Sequence, residues 1–203
     1  MVPALTLPPG DFAGYIFDCD GTLANSMPAH YRAWKQALEE ADLPIPFTVS
    51  LFKTLGGMPP VETVQHFNRE CRIALNPDEI VPRKESLLKV NMDAIQPVDA
   101  VVRFARKLKA DGIPLSVASG SMRWAVEATL RIIGMEHFFP VVVTQDDVRR
   151  GKPDPETFLL AAERMKVDPR RCLVLEDAPF GFQAAEAAGM AWVDVNPVVP
   201  DQY

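Results

Sequence analysis

From residue 97 to residue 194 the sequence switches repeatedly between two periods, and no other feature restricts its fold as much. Short apolar runs at 115–118, 141–143, 172–175 and 191–194 are separated by helical stretches near 99–110, 123–133, 158–165 and 180–188. Gly112, Gly134 and Gly189 stop three of those helices. Strand-sized runs without polar alternation are buried on both faces. Strand–helix alternation therefore predicts an α/β protein, a Rossmann-like parallel sheet between two helical layers. Tyr15-Ile16-Phe17 adds a first strand that ends at Asp18-Cys19-Asp20-Gly21, where Asp-Gly marks a turn. Asp154-Pro155-Glu156 reads as a helix start with Asp as the cap and Pro at the first helical position.

Between these parts the period is helical throughout. Tyr31, Trp34 and Leu38 fall on one face, Val49, Phe52 and Leu55 precede Gly56-Gly57, and Val61, Val64 and Phe67 repeat the spacing. Ile80, Leu87, Leu88 and Met92 mark a fourth helix, and no strand is expected in this stretch. Asn25-Ser26-Met27-Pro28 and Ile95-Gln96-Pro97 read as two linkers, so residues 1–26 and 97–203 are expected to form a core into which 27–96 is inserted as a helical cap.

In open parallel sheets, ligands bind at the carboxyl ends of the strands. Those ends carry Asp18 and Asp20, then Ser119 and Ser121, then Lys152 in a Gly-Lys-Pro turn, then Glu176 and Asp177. Carboxylates gathered at one edge repel one another unless a cation holds them, and an all-oxygen set selects a hard ion such as Mg²⁺. An ammonium and a hydroxyl beside that ion suit phosphoryl oxygens, and a carboxylate can serve as the nucleophile. Neither GxxxxGK[ST] nor GxGxxG occurs, so nucleotide binding has no support.

Charge and cysteine content narrow the setting. With 21 basic and 27 acidic residues the net charge is -6, the wrong sign for nonspecific binding to nucleic acid or an anionic membrane. No apolar run is long enough to span a bilayer. Cys19, Cys71 and Cys172 form no CxxC pair, which fits a reducing compartment. Residues 1–9 lack a cationic segment followed by an apolar one, so a cytoplasmic location is expected. Oligomeric state is left open.

Asp18-Cys19-Asp20-Gly21-Thr22-Leu23 resembles the DxDGT[LV] signature of the haloacid dehalogenase superfamily, with Ser119, Lys152-Pro153 and Glu176-Asp177 following its later motifs in order. The likeness spans residues 13 to 195, and the helical insertion resembles the small cap of the beta-phosphoglucomutase and sugar-phosphate phosphatase branch. The resemblance implies Asp18 as the nucleophile that forms an aspartyl-phosphate, and Asp20 as general acid and then base. Ser119 and Lys152 would hold the transferring phosphoryl, with Gly120 counted beside them as substrate-binding. Mg²⁺ would be held by Asp18, the Asp20 backbone carbonyl and Asp177, with Glu176 direct or through water.

In the cap, His30 and Lys84 occupy positions where that branch places residues near the substrate, although Arg83 and Glu85 beside Lys84 also fit a solvated helix face. Trp34, Phe52 and Phe67 read as cap core rather than as a substrate platform. Carbon–halogen and phosphonoacetaldehyde hydrolases of the superfamily lack the second aspartate, so Asp20 argues against both despite Lys53 in the cap. The expected activity is Mg²⁺-dependent hydrolysis of a small sugar phosphate. The rivals are a phosphomutase and, from another class, a non-catalytic phosphometabolite-binding protein. A mutase of this branch needs an arginine and a lysine in the loop after the second cap helix, and here 55–61 carries no cation.

Overall fold

The computed structural model describes residues 5–200, so part of the N-terminal stretch considered above lies outside it. Five strands, β1 (Gly14–Phe17), β4 (Leu115–Ala118), β5 (Val141–Val143), β6 (Cys172–Glu176) and β7 (Ala191–Asp194), form one sheet. Their order is β5-β4-β1-β6-β7, every neighbouring pair is parallel, and β1 is central. Tyr15 stands level with Leu115 on one side and Leu173 on the other.

Alternation along the strands divides the core in two. Tyr15, Phe17, Val117 and Leu175 pack with Val101 and Val102 of α5 (Asp99–Ala110) and Val126 and Leu130 of α6 (Arg123–Ile132). Ile16, Ala118, Val143 and Val174 face the other way, onto Phe158 and Ala161 of α7 (Glu156–Met165) and Ala184 of α8 (Pro179–Ala187). Both faces are thus covered, which is why β1, β4 and β6 carry no exposed residue. Truncating the wholly buried Phe158 to Ala would cost about 3–5 kcal/mol.

The winding turns back at β1: β4 and β5 lie on one side of it, β6 and β7 on the other. A crevice therefore opens where β1 and β6 end, the place such sheets keep for ligands.

The chain leaves and re-enters this layer at one point. β2 (Ala24–Asn25) pairs antiparallel with β3 (Gln96–Pro97), and between them lie α1 (Met27–Glu40), α2 (Val49–Thr54), α3 (Pro60–Cys71) and α4 (Pro77–Lys89). The strand at Gln96 was not expected, because a two-residue pairing leaves no periodicity to read. Thr48 accepts from Leu51 N to cap α2, Asn76 accepts from Asp78 N to cap α4, and Arg72 in the left-handed region ends α3. Leu38, Val64, Phe67 and Leu88 fill the space between the helices. One further boundary differs: Pro155 is the capping position of α7, and Asp154 instead accepts from Glu156 N at 3.0 Å. Among the described residues no helix is long and apolar enough to cross a membrane.

Candidate active site

Each functional side chain at the sheet edge is placed by backbone. Asp18 N donates to Leu175 O, which fixes the end of β1 against β6. Cys19 O then accepts from both Leu23 N and Ala24 N, closing a tight turn. Gly21 sits in that turn at φ 90°, and a Cβ there would lie 2.2 Å from Asp177 Oδ2, so no other residue fits. The turn brings Asp18 and Asp20 to one cavity while Cys19 is buried in the core.

Lys152 enters from the loop after β5 and is almost wholly buried. Its ammonium donates to Asp18 Oδ1 and to Glu176 Oε1, both at 2.7 Å, and lies 4.7 Å from the Phe158 ring. Glu176, the last residue of β6, accepts with Oε2 from the amides of Asp177 and Ala178 at 2.5 and 2.8 Å. A side chain on Gly181 would collide with it. Thr22 donates to Asp177 Oδ1 at 3.1 Å.

Oxygens of Asp18, Glu176 and Asp177 gather within 4.8 Å of one another. Burial, with Glu176 and Asp20 adding to it against the pull of Lys152, pushes Asp18 up to about 8. Burial, with Glu176 and Asp18, also pushes Asp177 well above the usual carboxylate range. A buried oxygen set that resists ionisation on its own suits a hard divalent cation, whose charge offsets that resistance. Lys152 is held above the ordinary lysine range: burial opposes its charge, but Asp18 and Glu176 outweigh burial.

Asp20 is held differently. Ser26 Oγ donates to Oδ1 and Ser121 Oγ to Oδ2, both at 2.6 Å, and His30 Nε2 lies 3.3 Å from Oδ1. Burial alone would raise its carboxyl, yet His30 and the two serines hold it well below the usual range. Ser119, 1% exposed, accepts with Oγ from Ser121 N at 3.0 Å.

The opposite wall comes from the helical segment. His30 of α1 meets Lys84 of α4 across 3.3 Å at Nδ1, and Lys84 donates to Glu85 at 2.8 Å and lies 5.6 Å over the Trp34 ring. Lys84 is therefore not on a solvated face: it is 3% exposed, while the adjacent Arg83 points outward and pairs with Glu40. About 80 Å³ of free space lies between the two walls, bordered by Asp18, Asp20, Ser119 and Gly120 below and Trp34, Phe52 and Met58 above. Trp34 and Phe52 thus line the site as well as packing, whereas Phe67 only packs. The loop after α2 closes the space, since a Cβ on Gly120 would touch Gly57 O at 3.4 Å and one on Gly151 would meet Pro59 at 2.6 Å.

All nine residues singled out in the sequence thus meet around one cavity or directly behind it. Ser26 and Glu85 were missed, and Ser121 was seen only as a strand-end hydroxyl. A serine six residues after Asp20 at a helix start was the available signal for Ser26.

Residues 15–195 match the model of a family described as haloacid dehalogenase-like hydrolases. The chain is 37% identical over 189 residues to the fructose-1-phosphate phosphatase YqaB of Escherichia coli (strain K12), covering 91% of this chain and 97% of that protein. It is 30% identical over 193 residues to the beta-phosphoglucomutase of Bacillus subtilis (strain 168), covering 91% and 84%. Its fold also superposes on the crystal structure of a hydrolase from Pseudomonas syringae with a TM-score of 0.84, at 24% identity and 90% and 84% coverage.

Proposed function

The chain belongs to the haloacid dehalogenase-like hydrolase family, and on that premise we propose that it is a Mg²⁺-dependent phosphatase that hydrolyses a small sugar phosphate through an aspartyl-phosphate. The observation that carries this reading is Lys152, buried between Asp18 and Glu176 at 2.7 Å from each. It orients the Asp18 carboxylate and lowers the cost of bringing a phosphoryl dianion to it.

Asp18 attacks phosphorus as the ester oxygen departs with a proton from Asp20. Asp20, now a carboxylate, takes a proton from water as that water displaces Asp18 and releases inorganic phosphate. The arrangement around Asp20, with three groups directed at its oxygens, is the one that suits the base step. Ser119 and Lys152 hold the transferring group. Asp18, the Asp20 carbonyl and Asp177 would hold Mg²⁺, with Glu176 behind them because Lys152 and two amides already engage its oxygens. When bound, the ion supplies charge that draws the phosphoryl oxygens to the nucleophile.

Residues 27–96 act as a lid on the paired segments β2 and β3, since about 80 Å³ of free space between the two walls leaves little room for a sugar phosphate unless they part. The acceptor is water rather than a second sugar, because 55–61 offers no cation for the other phosphate of a bisphosphate. The negative charge of the chain and its free cysteines fit a cytoplasmic enzyme.

Release of inorganic phosphate from fructose 1-phosphate tests this. It should require Mg²⁺ and stop with excess chelator. Undiminished turnover in chelator would refute the metal. Conversion of beta-glucose 1-phosphate to glucose 6-phosphate with little phosphate release would replace the phosphatase by a mutase.

A further inference from the structure

Lys84 is the one ammonium of the helical segment that borders the cavity among the described residues. Its charge is not available to a ligand, because Glu85 on the next position of α4 accepts from it at 2.8 Å. Both are buried, at 3% and 8% exposure, and Glu85 Oε2 has no partner among the described residues. A carboxylate placed there with one oxygen unpaired carries a desolvation cost, so its presence calls for a use. His30 turns Nδ1 to the Lys84 ammonium across 3.3 Å and Nε2 to Asp20, so it stands between the pair and the sheet edge. Lys84 and Glu85 cancel, and the other side chains of the upper wall are apolar, Trp34, Phe52 and Met58 among them, except Thr63, whose hydroxyl donates to Pro59 O.

We propose that Glu85 is the specificity-determining residue of the upper wall: by neutralising Lys84 it restricts the enzyme to phosphate monoesters whose leaving group carries no second negative charge. The inference rests on the phosphatase reading above. A second phosphate or a carboxylate on the leaving group would be the second anion around a single ammonium, in a space walled by apolar side chains that weaken screening. A neutral hydroxyl pays no such penalty, and Lys84 keeps one of its three N–H donors for it after serving Glu85 and His30. Selection of this kind works by repulsion rather than by a fitted contact.

Two pairs of esters in which one member adds a negative charge to the leaving group test it: 2-hydroxyethyl phosphate against 2-phosphoglycolate, which are close in size, and fructose 1-phosphate against fructose 1,6-bisphosphate. For the wild-type protein with Mg²⁺, kcat/KM for the neutral member should exceed that for the charged member by about tenfold or more. In Glu85→Gln the preference should shrink by about tenfold, and in Lys84→Met it should widen. An equal preference in wild type and a folded Glu85→Gln would overturn the proposal, as would a wild-type enzyme that prefers the charged member. If Glu85→Gln does not fold, Lys84→Met decides alone, a widened preference supporting the proposal and an unchanged one refuting it. Should the wild type hydrolyse none of the four, the phosphatase reading fails by itself. The same ratios taken from dissociation constants by calorimetry then judge the charge selection separately.

Discussion

The two walls of the cavity hold their charged groups by different means. On the sheet side Asp18, Glu176 and Lys152 sit at strand ends or in strand-to-helix loops, tied to backbone and to one another at 2.5–2.8 Å. On the helical side His30, Lys84 and Glu85 are joined only side chain to side chain, across the packing of α1 on α4, at 2.8–3.3 Å. The lower wall is a fixed device set by the sheet, and the upper wall is as adjustable as the contact between two helices. On the proposed reading, chemistry belongs with the first and selection with the second, because a displacement of about 1 Å at the reacting atoms can cost two orders of magnitude in rate.

That division can be broken by mutation. The largest effect should come from Asp18→Asn, which removes the proposed nucleophile without changing shape: turnover should fall by on the order of 10⁴-fold or more, and no phosphorylated protein should be trapped in acid quench. A rate near wild type would take covalent catalysis away from the lower wall altogether. Next is Lys152→Met, which leaves Asp18 and Glu176 buried and facing each other uncompensated. A loss of about 3–5 kcal/mol in urea unfolding with chelator present is expected. Lys84→Met should cost clearly less, since Glu85 is closer to solvent than Glu176, 8% against 1% exposed. An equal or larger loss at Lys84 would erase the contrast between the walls.

A smaller effect is expected where the walls meet. His30 and Ser26 reach Asp20 from the helical segment and its linker, while Ser121 reaches it from the sheet. His30→Gln keeps a donor but no ring, and should lower kcat by about tenfold to a hundredfold while changing KM little. If KM rises and kcat holds, His30 belongs to selection rather than to the acid–base step.

The same contrast explains what could be read from the sequence. Asp18, Asp20, Lys152, Glu176 and Asp177 were legible because the sheet topology alone brings strand ends together, and strands announce themselves as apolar runs. Lys84 was left between a substrate contact and a solvated face, and Glu85 was missed, because Arg83, Lys84 and Glu85 form a charged run, and such a run says nothing of which member faces inward. On a helix each successive residue turns by about 100°, so Arg83 reaches Glu40 outside while its neighbours are buried against α1. Trp34 and Phe52 were assigned to packing alone, since an apolar period cannot distinguish the wall of a cavity from the interior behind it. β2 and β3 left no trace, being two residues each.

The smallest effect concerns a carboxylate of the sheet layer that takes no part in the cavity, Asp147 in the loop after β5. Thr144 donates to its Oδ2 through both N and Oγ1 at 2.9 Å, Arg123 does so at 2.5 Å, and Arg164 reaches Oδ1 at 3.1 Å. The arginines belong to α6 and α7, which cover opposite faces of the sheet. Burial alone would raise this carboxyl, but the Thr144 bonds, Arg164 and Arg123 outweigh it and hold it below the ordinary aspartate value. That is the reverse of Asp18, which burial pushes up to about 8. For Asp147 the folded protein therefore prefers the charged form more than the unfolded chain does. Its contribution is complete above the unfolded value near 4 and is lost as the pH falls through the lower folded value. The stability difference between the wild type and Asp147→Asn should hence be constant from about pH 7 to pH 5 and shrink below about pH 4. Urea unfolding of both proteins across that range measures it. A difference that stays constant to the acid limit would mean that Asp147 acts by hydrogen-bond geometry alone, and that an amide serves the two helices as well as a charge does.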